Sequence, residues 1–168
     1  KLMDMQERVL SREAKLEYDR AMAAAQKDMA PIRADANNPQ TRSKYASYYA
    51  LDTAIRPIYT KHGFAISFDT GDGAPADHVM VVANVSHVGG HSTQPKLPMP
   101  ADGKGAKGGD VMTKTHATGS AITYGKRYLL QMIFNLAVGG DDDGNAAGPG
   151  GYINAEQKDE LVALIQET

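Results

Sequence analysis

Two stretches of alternating apolar residues constrain the fold of this chain more than any other feature of its sequence. Apolar side chains occupy every second position, first of residues 64–68 and then of residues 79–85. The first set is Phe64, Ile66 and Phe68, and the second is Val79, Val81, Ala83 and Val85. A period of two places each set on one face of a strand. The sequence therefore predicts two strands with an apolar face that other elements must cover.

A third strand is predicted from the turn that follows. Gly89-Gly90 is typical of a two-residue hairpin, which would return the chain along residues 91–100. Pro95 and Pro98 lack the N–H that a central strand donates, so they favour an edge position. The prediction is a three-stranded antiparallel β meander in an α+β fold.

Three helices are expected to pack against this meander. Residues 4–29 contain many helix formers and stop before Pro31, and residues 44–63 begin extended and continue as a helix that Gly63 ends. Pro57 should kink or shorten that second helix. The third and most apolar helix spans residues 115–138 and is terminated by Gly139-Gly140. The segments 31–43 and 99–113 are predicted to be loops, the second mobile and without core residues.

The first two helices carry different apolar stripes. In residues 4–29 the stripe is narrow, so this helix packs on the core or on a neighbouring subunit. Its members are Leu2, Met5, Val9, Leu16 and Ala23. In the second helix the stripe consists of Leu51, Ile55, Ile58 and Tyr59.

Length and composition indicate an ordinary globular protein. The 168 residues suffice for one core, predicted as residues 1–147, followed by a linker and C-terminal helix in residues 148–168. Cysteine is absent, which excludes disulfides and thiolate chemistry. No apolar run approaches the roughly 20 residues that span a bilayer. We therefore expect a cytoplasmic protein without a membrane partner.

Positive charge is concentrated in two segments, although the net charge is −2. Residues 31–62 carry five basic and two acidic side chains, and residues 103–128 carry five and one. Residues 139–168 carry one basic and seven acidic side chains, and this negative charge cancels the positive charge of the two basic segments in the net value. Basic segments are either solvated faces or binding sites for an anion, and the charge count alone does not separate the two.

Several stretches resemble enzyme motifs but lack the neighbouring structure that those motifs require. The letters of GKGAKG at 103–108 match a dinucleotide fingerprint, but no strand precedes them and no acidic residue follows at the required spacing. No Walker motif occurs, which argues against an ATPase. His87 and His91 would be an HxxxH metal pair, but a two-residue turn at Gly89-Gly90 would set His87 opposite Ser92 and point the imidazoles to different faces.

The helix at 115–138 has a polar stripe suited to phosphates. His116, Ser120, Thr123 and Arg127 fall on one side at about 100° per residue, with Lys126 beside them. Hydroxyl, imidazole and guanidinium groups without acidic neighbours favour phosphate binding. Tyr124 and Tyr128 either stack on bases or belong to the core.

The candidate DNA-binding residues come from this helix, the loop before it and the first basic segment. They are Lys126, Arg127, Thr123, Ser120, His116, Tyr124, Tyr128, Lys114, Arg42, Lys44, Tyr45, Lys104 and Lys107.

Three consecutive aspartates, Asp141, Asp142 and Asp143, follow the helix and oppose its dipole. They do not fit an EF-hand, because Gly139 and Gly150 occupy the first and last ligand positions. They mark the border of a DNA groove, meet a basic surface of a neighbouring subunit, or hold a divalent ion such as Mg²⁺. The three carboxylates are thus the candidate metal ligands of the chain.

The chain resembles the Erf family of phage single-strand annealing proteins. The resemblance rests on KYASYYALDTAIRPIYTKHGF at 44–64, TGSAITYGKRYLL at 118–130 and DDDGN at 141–145. It implies the fold of the wider annealing superfamily that includes RecT and Red beta, assembled into rings or helical oligomers. It also implies that Lys126 and Arg127 line the DNA groove.

These observations predict a non-enzymatic, ATP-independent protein that binds single-stranded DNA and anneals complementary strands in phage recombination. No cofactor is required, and the partners are single-stranded DNA, the nascent duplex, further copies of the chain, and a host single-strand binding protein or phage exonuclease. Replacing Lys126 and Arg127 with Ala should abolish annealing and leave the fold intact. The rival hypotheses are a passive DNA-coating protein and a Mg²⁺-dependent nuclease that uses Asp141, Asp142 and Asp143.

Overall fold

The computed structural model describes residues 1–38, 42–104, 109 and 112–139. In this part of the chain the fold is α+β, as the sequence predicts. The helices are α1 (Leu2–Asp28), α2 (Tyr48–Lys61) and α3 (Lys114–Phe134). The strands are β1 (Ile32–Arg33), β2 (Ala36–Asn37), β3 (Lys44–Tyr45), β4 (Phe64–Gly71), β5 (His78–His87), β6 (Ser92–Thr93), β7 (Lys96–Pro100) and β8 (Val138–Gly139).

The main sheet is antiparallel and centred on β5. Strand β4 pairs along one side of β5, with Phe64 opposite His87, and both β6 and β7 pair along its other side. The alternating apolar sets share one face and are buried or half-buried, so this prediction is confirmed. All three helices contact one another, and α2 and α3 also contact the sheet.

The third strand is interrupted where Pro95 occurs. The carbonyl of Pro95 accepts a hydrogen bond from the Ala83 N–H at 2.9 Å, and the Gln94 amide donates to Asn84 Oδ1 at 2.7 Å. Proline has no N–H to return, so regular pairing stops between β6 and β7. The predicted strand therefore consists of two short strands along one edge of β5.

The predicted register of the β5–β6 turn is wrong by one residue. Ser86 pairs with Ser92, and the His87 N–H donates to the His91 carbonyl at 3.0 Å, so His87 faces His91 across a three-residue turn. Both imidazoles contact the Tyr18 ring, at centroid distances of 6.3 and 5.0 Å. Within the described residues, no group of three or more potential metal ligands is found.

Helix α1 has the predicted extent but packs through a different face. Tyr18 and Ala25 are buried, with Ala21 and Met22 half-buried beside them. Small alanines let this side approach the core closely. The five-residue stripe that was expected to pack is exposed, with Leu2 72% and Leu16 46% accessible.

Helix α2 follows its prediction closely. Ser47 caps its first turn, and Leu51, Ile55 and Tyr59 are buried against the core. Pro57 lies inside the helix without ending it, and Gly63 follows with a φ of +78°. That left-handed conformation is one that glycine adopts without strain, and it turns the chain into β4.

Helix α3 is shorter than predicted. The Thr113 hydroxyl caps it by accepting from the His116 N–H, and Asn135, with a φ of 50°, ends it before the expected Gly139-Gly140 stop. Residues beyond the helix form β8, which pairs in parallel with β1. Met132, expected on the apolar side, is 64% exposed.

Two predicted loops contain ordered strands. The segment 31–43 carries β1 and β2, with β2 pairing with β3 after it. The segment 99–113 begins inside β7, and its Met99 packs against the core, contrary to prediction. The predicted C-terminal helix and its linker, residues 148–168, lie outside the described residues.

Gly125 sets the distance between α3 and the sheet. A β-carbon at this position would lie 2.6 Å from Cγ2 of Val81 on β5 and 3.0 Å from Cγ of Met99 on β7. Real β-carbons do not approach so closely, so only glycine allows α3 to lie this near the strands. The same contact fixes the directions in which the next two residues, Lys126 and Arg127, leave the helix.

None of the helices in the described residues is both long enough and apolar enough to cross a bilayer.

Candidate nucleic-acid interface

Arg127 lies where α3 meets the segment that precedes α2. Its side chain is only 7% exposed, and three tyrosine rings surround the guanidinium. The Arg127 Cζ lies 4.4 Å from the ring centroid of Tyr45, 4.9 Å from that of Tyr124 and 5.1 Å from that of Tyr128. Aromatic faces attract a guanidinium, and they also exclude water from it.

The hydrogen bonds of this guanidinium are incomplete. Nη1 donates to the Ala46 carbonyl across 3.5 Å, at the long limit of such a bond, and the buried Nε has no partner. Among the described residues, no carboxylate forms an ion pair with Arg127. A buried cation without a counter-ion is costly, and an anionic ligand would offset that cost.

Lys126 faces a second pair of rings on the neighbouring side of α3. Its Nζ lies 4.3 Å from the centroid of Tyr48 and 5.5 Å from that of Phe68, and these two rings contact each other edge to face. Burial is the main cause that raises the pKa of Tyr48, followed by the charge of Asp52. Lys126 is half-buried and also lacks an ion-pair partner in the described part of the chain. Its ammonium donors therefore remain available to an anion.

Asp35 holds the segment 44–48 in place. Its two carboxylate oxygens accept from the Ser47 N–H at 2.6 Å and from the Ser47 hydroxyl at 2.7 Å. The backbone bond, and then the hydroxyl bond, hold the pKa of Asp35 below its ordinary value. The Ser47 oxygen in turn accepts from the Ala50 N–H and caps α2. This chain of bonds fixes the position of the Ala46 carbonyl relative to Arg127.

A small cavity opens between α3 and this segment. Its volume is about 150 Å³, which is enough for one small group of a ligand but not for a base pair. The lining residues are Tyr45, Ser47, Tyr48, Thr123, Tyr124 and Arg127. Ring faces, a hydroxyl and a guanidinium thus converge on one space, and these are the groups that contact the phosphates and bases of single strands.

The predicted polar stripe of α3 reaches this cavity at Thr123 and extends from there towards the start of the helix. The Thr123 hydroxyl lines it but donates to the Gly119 carbonyl at 2.9 Å, so its proton is already used. His116 and Lys114 are exposed in the first turn of the helix. By helix rise, Lys114 lies about 18 Å from Lys126. Together with half-buried Ser120, these residues form a track along α3, and the predicted stripe is continuous except that Arg127 turns inward.

The two tyrosines of α3 have ring contacts with each other and with Arg127. The Tyr124 and Tyr128 centroids are 6.0 Å apart, and both residues are half-buried. They are therefore partly structural, and each keeps some surface open to a ligand.

The remaining DNA-binding candidates lie at the periphery. Lys44 is exposed on β3 beside Tyr45, and Arg42 is exposed with a φ of 57°. Lys104 is exposed at the start of the loop before α3. Lys107 lies outside the described residues.

The candidate metal ligands Asp141, Asp142 and Asp143 also lie outside the described residues, which end at Gly139 in this part of the chain. The structure nonetheless corrects the predicted end of helix α3. Helix α3 ends at Phe134, and β8 follows it, so the three aspartates do not directly follow a helix C-terminus as predicted. The helix end on which the dipole argument for Asp142 and its neighbours depended therefore lies at Phe134 rather than at Val138.

Sequence reasoning missed four residues of the site. Tyr48 and Phe68 contact Lys126, Ser47 lines the cavity, and Asp35 positions Ser47. Ser47 had a detectable signal, because a serine before a helical run is a favoured cap. Phe68 and Lys126 are far apart in the sequence, so no local sequence pattern predicts their contact.

The comparisons with known proteins bear on this site. A family profile described as the ERF superfamily matches residues 18–161, which include every described residue of the cavity. The chain belongs to the ERF superfamily. Searches among curated proteins and among solved structures gave no significant match. Membership of the ERF superfamily places the chain among proteins of phage single-strand DNA annealing and recombination.

Proposed function

We propose that this ERF superfamily protein binds single-stranded DNA and anneals complementary strands without ATP and without an enzymatic step. The observation that carries the proposal is the pair Lys126 and Arg127. Both are cations set against tyrosine rings, and neither has a carboxylate partner in the described residues. Such a pair suits a phosphate with an adjacent base.

In the proposed mode, the DNA backbone follows α3 from Lys114 towards Lys126. The ammonium of Lys126 contacts one phosphate, and the cavity admits a phosphate oxygen towards the unpaired Nε of Arg127. Tyr45 and Tyr48 offer ring faces to a base at the cavity mouth. Because these contacts involve backbone and ring faces rather than base edges, binding is independent of sequence and sensitive to salt.

Annealing requires that the bases stay open to a second strand. A strand held by its phosphates along one helix presents its bases outward, where a complementary strand can pair with them. We propose that several copies align such sites in rings or helical arcs, as the resemblance to annealing proteins implies, and that the nascent duplex stabilises the assembly. The host bacterial cytoplasm is the proposed location. A host single-strand binding protein or a phage exonuclease is the proposed protein partner.

No cofactor is required in this scheme. Asp141, Asp142 and Asp143 have the oxygen ligands that Mg²⁺ prefers, but annealing in this scheme does not depend on Mg²⁺ binding there. Addition of EDTA is accordingly expected to leave annealing unchanged.

The test uses two complementary oligonucleotides, one carrying a fluorophore and one a quencher, without ATP. We expect the protein to increase the pairing rate at least tenfold, with and without EDTA. Binding without faster pairing would show a passive coating protein instead. Shortened labelled strands on a gel after addition of Mg²⁺ would show a nuclease.

A further inference from the structure

Helix α1 carries two apolar faces. Tyr18, Ala21, Met22 and Ala25 face the core. The second face lies about 170° away at roughly 100° per residue, and is therefore directed to solvent. Its members are Leu2, Met5, Val9, Leu16 and Ala23. Val9 is 54% and Leu16 46% exposed, although a surface helix normally turns such residues inward.

The outer face has the seven-residue repeat of a helix-pairing seam, with one apolar residue in each heptad and Met5 as the single apolar residue at the second seam position. Leu2, Val9, Leu16 and Ala23 recur every seven residues, which keeps them aligned along one partner helix. Over 27 residues, α1 is about 40 Å long, so a partner helix of similar length would cover most of the seam.

The charges beside the seam are complementary to a second copy of α1 running in the opposite direction. In an antiparallel pair centred on Leu16, each side of the seam on one helix faces the same side of the seam on the other helix. Arg12 then lies opposite Asp19 of the other copy on one flank, and Glu13 opposite its Arg20 on the other. Each pairing occurs twice around the two-fold axis, which gives four oppositely charged pairs.

The apolar contacts of that arrangement also match in size. Leu16 meets its own equivalent at the axis, and Val9 faces Ala23 of the other copy, a large side chain against a small one. Because the seam lies opposite the core-facing side of α1, the two cores would lie on opposite sides of the helix pair without collision. A parallel pair instead sets Arg20 near the like-charged Lys15.

We propose that two copies of this chain pair through α1, antiparallel and centred on Leu16. This inference is independent of DNA binding, since Lys126 and Arg127 take no part in it. The seam has few large apolar residues, so the dimer is expected to dissociate on dilution.

Charge reversal tests the orientation. Glu13→Arg and Arg20→Glu should each weaken the dimer about tenfold in sedimentation equilibrium, since each replaces two attractions with two repulsions. The double variant should restore the affinity of the unmodified protein. Glu7→Arg, on another side of the same helix, is the matched control and should have no effect. A tighter dimer with Arg20→Glu would indicate parallel pairing and overturn the proposal.

Cross-linking gives a second, independent readout. The chain has no cysteine, so an introduced one is unique. When Val9→Cys and Ala23→Cys proteins are mixed and oxidised, we expect the mixed disulfide to dominate over either homodimer. Self-linked Val9→Cys dimers in excess, or a wild-type protein that remains monomeric at high concentration, would also overturn the proposal.

Discussion

The Arg127 Cζ lies 4.4 Å from the ring centroid of Tyr45, and this contact joins α3 to the segment before α2. Two motifs distant in the sequence, KYASYY and TYGKRY, therefore form one site. The same contact buries the guanidinium, so Arg127 differs from a solvent-facing groove residue. The Arg127 Nε has no hydrogen-bond partner in the described residues, and we expect an anionic ligand to accept a hydrogen bond from it.

Removing the charge of Arg127 while keeping its bulk should separate stability from binding. For Arg127→Met we expect the free energy of unfolding to change by less than about 1.5 kcal/mol, because the relieved desolvation offsets the lost ring contacts. Affinity for single-stranded DNA should fall at least tenfold. Urea unfolding and fluorescence anisotropy with a dT oligonucleotide measure the two quantities. Unchanged DNA affinity would refute a phosphate role for Arg127.

Arg127→Ala should behave differently from Arg127→Met. Truncation of a buried side chain leaves a cavity and costs about 2 kcal/mol or more. The expectation that replacing Lys126 and Arg127 with Ala leaves the fold intact is therefore revised, since the structure buries one of the two residues.

Gly125→Ala should destabilise the protein through the contact of α3 with the sheet. The new methyl group would overlap Val81, and overpacking of this kind costs about 1–3 kcal/mol. Gly119→Ala on the same helix is the control, because nothing lies within 4 Å of its β-carbon position. That change should stabilise the helix by up to about 1 kcal/mol. Equal effects of both variants in thermal unfolding would contradict the close packing described for Gly125.

The stability of the α2 cap should depend on pH in the acid range. Hydrogen bonds from Ser47 hold the pKa of Asp35 below its ordinary value of 3.8. A lowered folded pKa gives a stabilisation that is complete above the ordinary value and is lost as the pH falls through the folded value. Asp35→Asn should therefore be less stable than wild type at pH 7, and the difference should disappear once the pH has fallen below the lowered folded pKa of Asp35. Asp72→Asn, on an exposed turn, is the control. A difference that persists in strong acid would contradict the assigned cause.

Local patterns predicted much of this fold. The alternation of Phe64, Ile66 and Phe68 gave β4 and its buried face, and Leu51, Ile55 and Tyr59 gave the inner side of α2. These predictions succeed because a period of two or 3.6 depends only on neighbouring residues. Lys126 and Arg127 were also predicted together as DNA-binding candidates, because both lie on the same helix.

The failures share a physical cause, which is that packing partners are remote in sequence. The burial of Arg127 depends on Tyr45 and Ala46, and nothing in α3 itself indicates that cover. On α1, an apolar stripe was visible, but the core selected the side with Tyr18 and Ala25. The turn between His87 and His91 is one residue longer than predicted. A one-residue shift in register changes which residues lie opposite each other and which face of the sheet their side chains occupy.

The most direct test of the proposed function compares Lys126→Gln with Lys96→Gln, in which an exposed lysine on β7 is lost. Annealing rate and single-strand affinity are measured for both proteins at several salt concentrations. Lys126→Gln should reduce affinity about tenfold, flatten the log–log salt slope by roughly 0.7 and abolish most of the annealing, because one phosphate contact is lost. Lys96→Gln should match wild type. Equal binding, slope and annealing for the two variants would contradict the assignment of this surface to DNA.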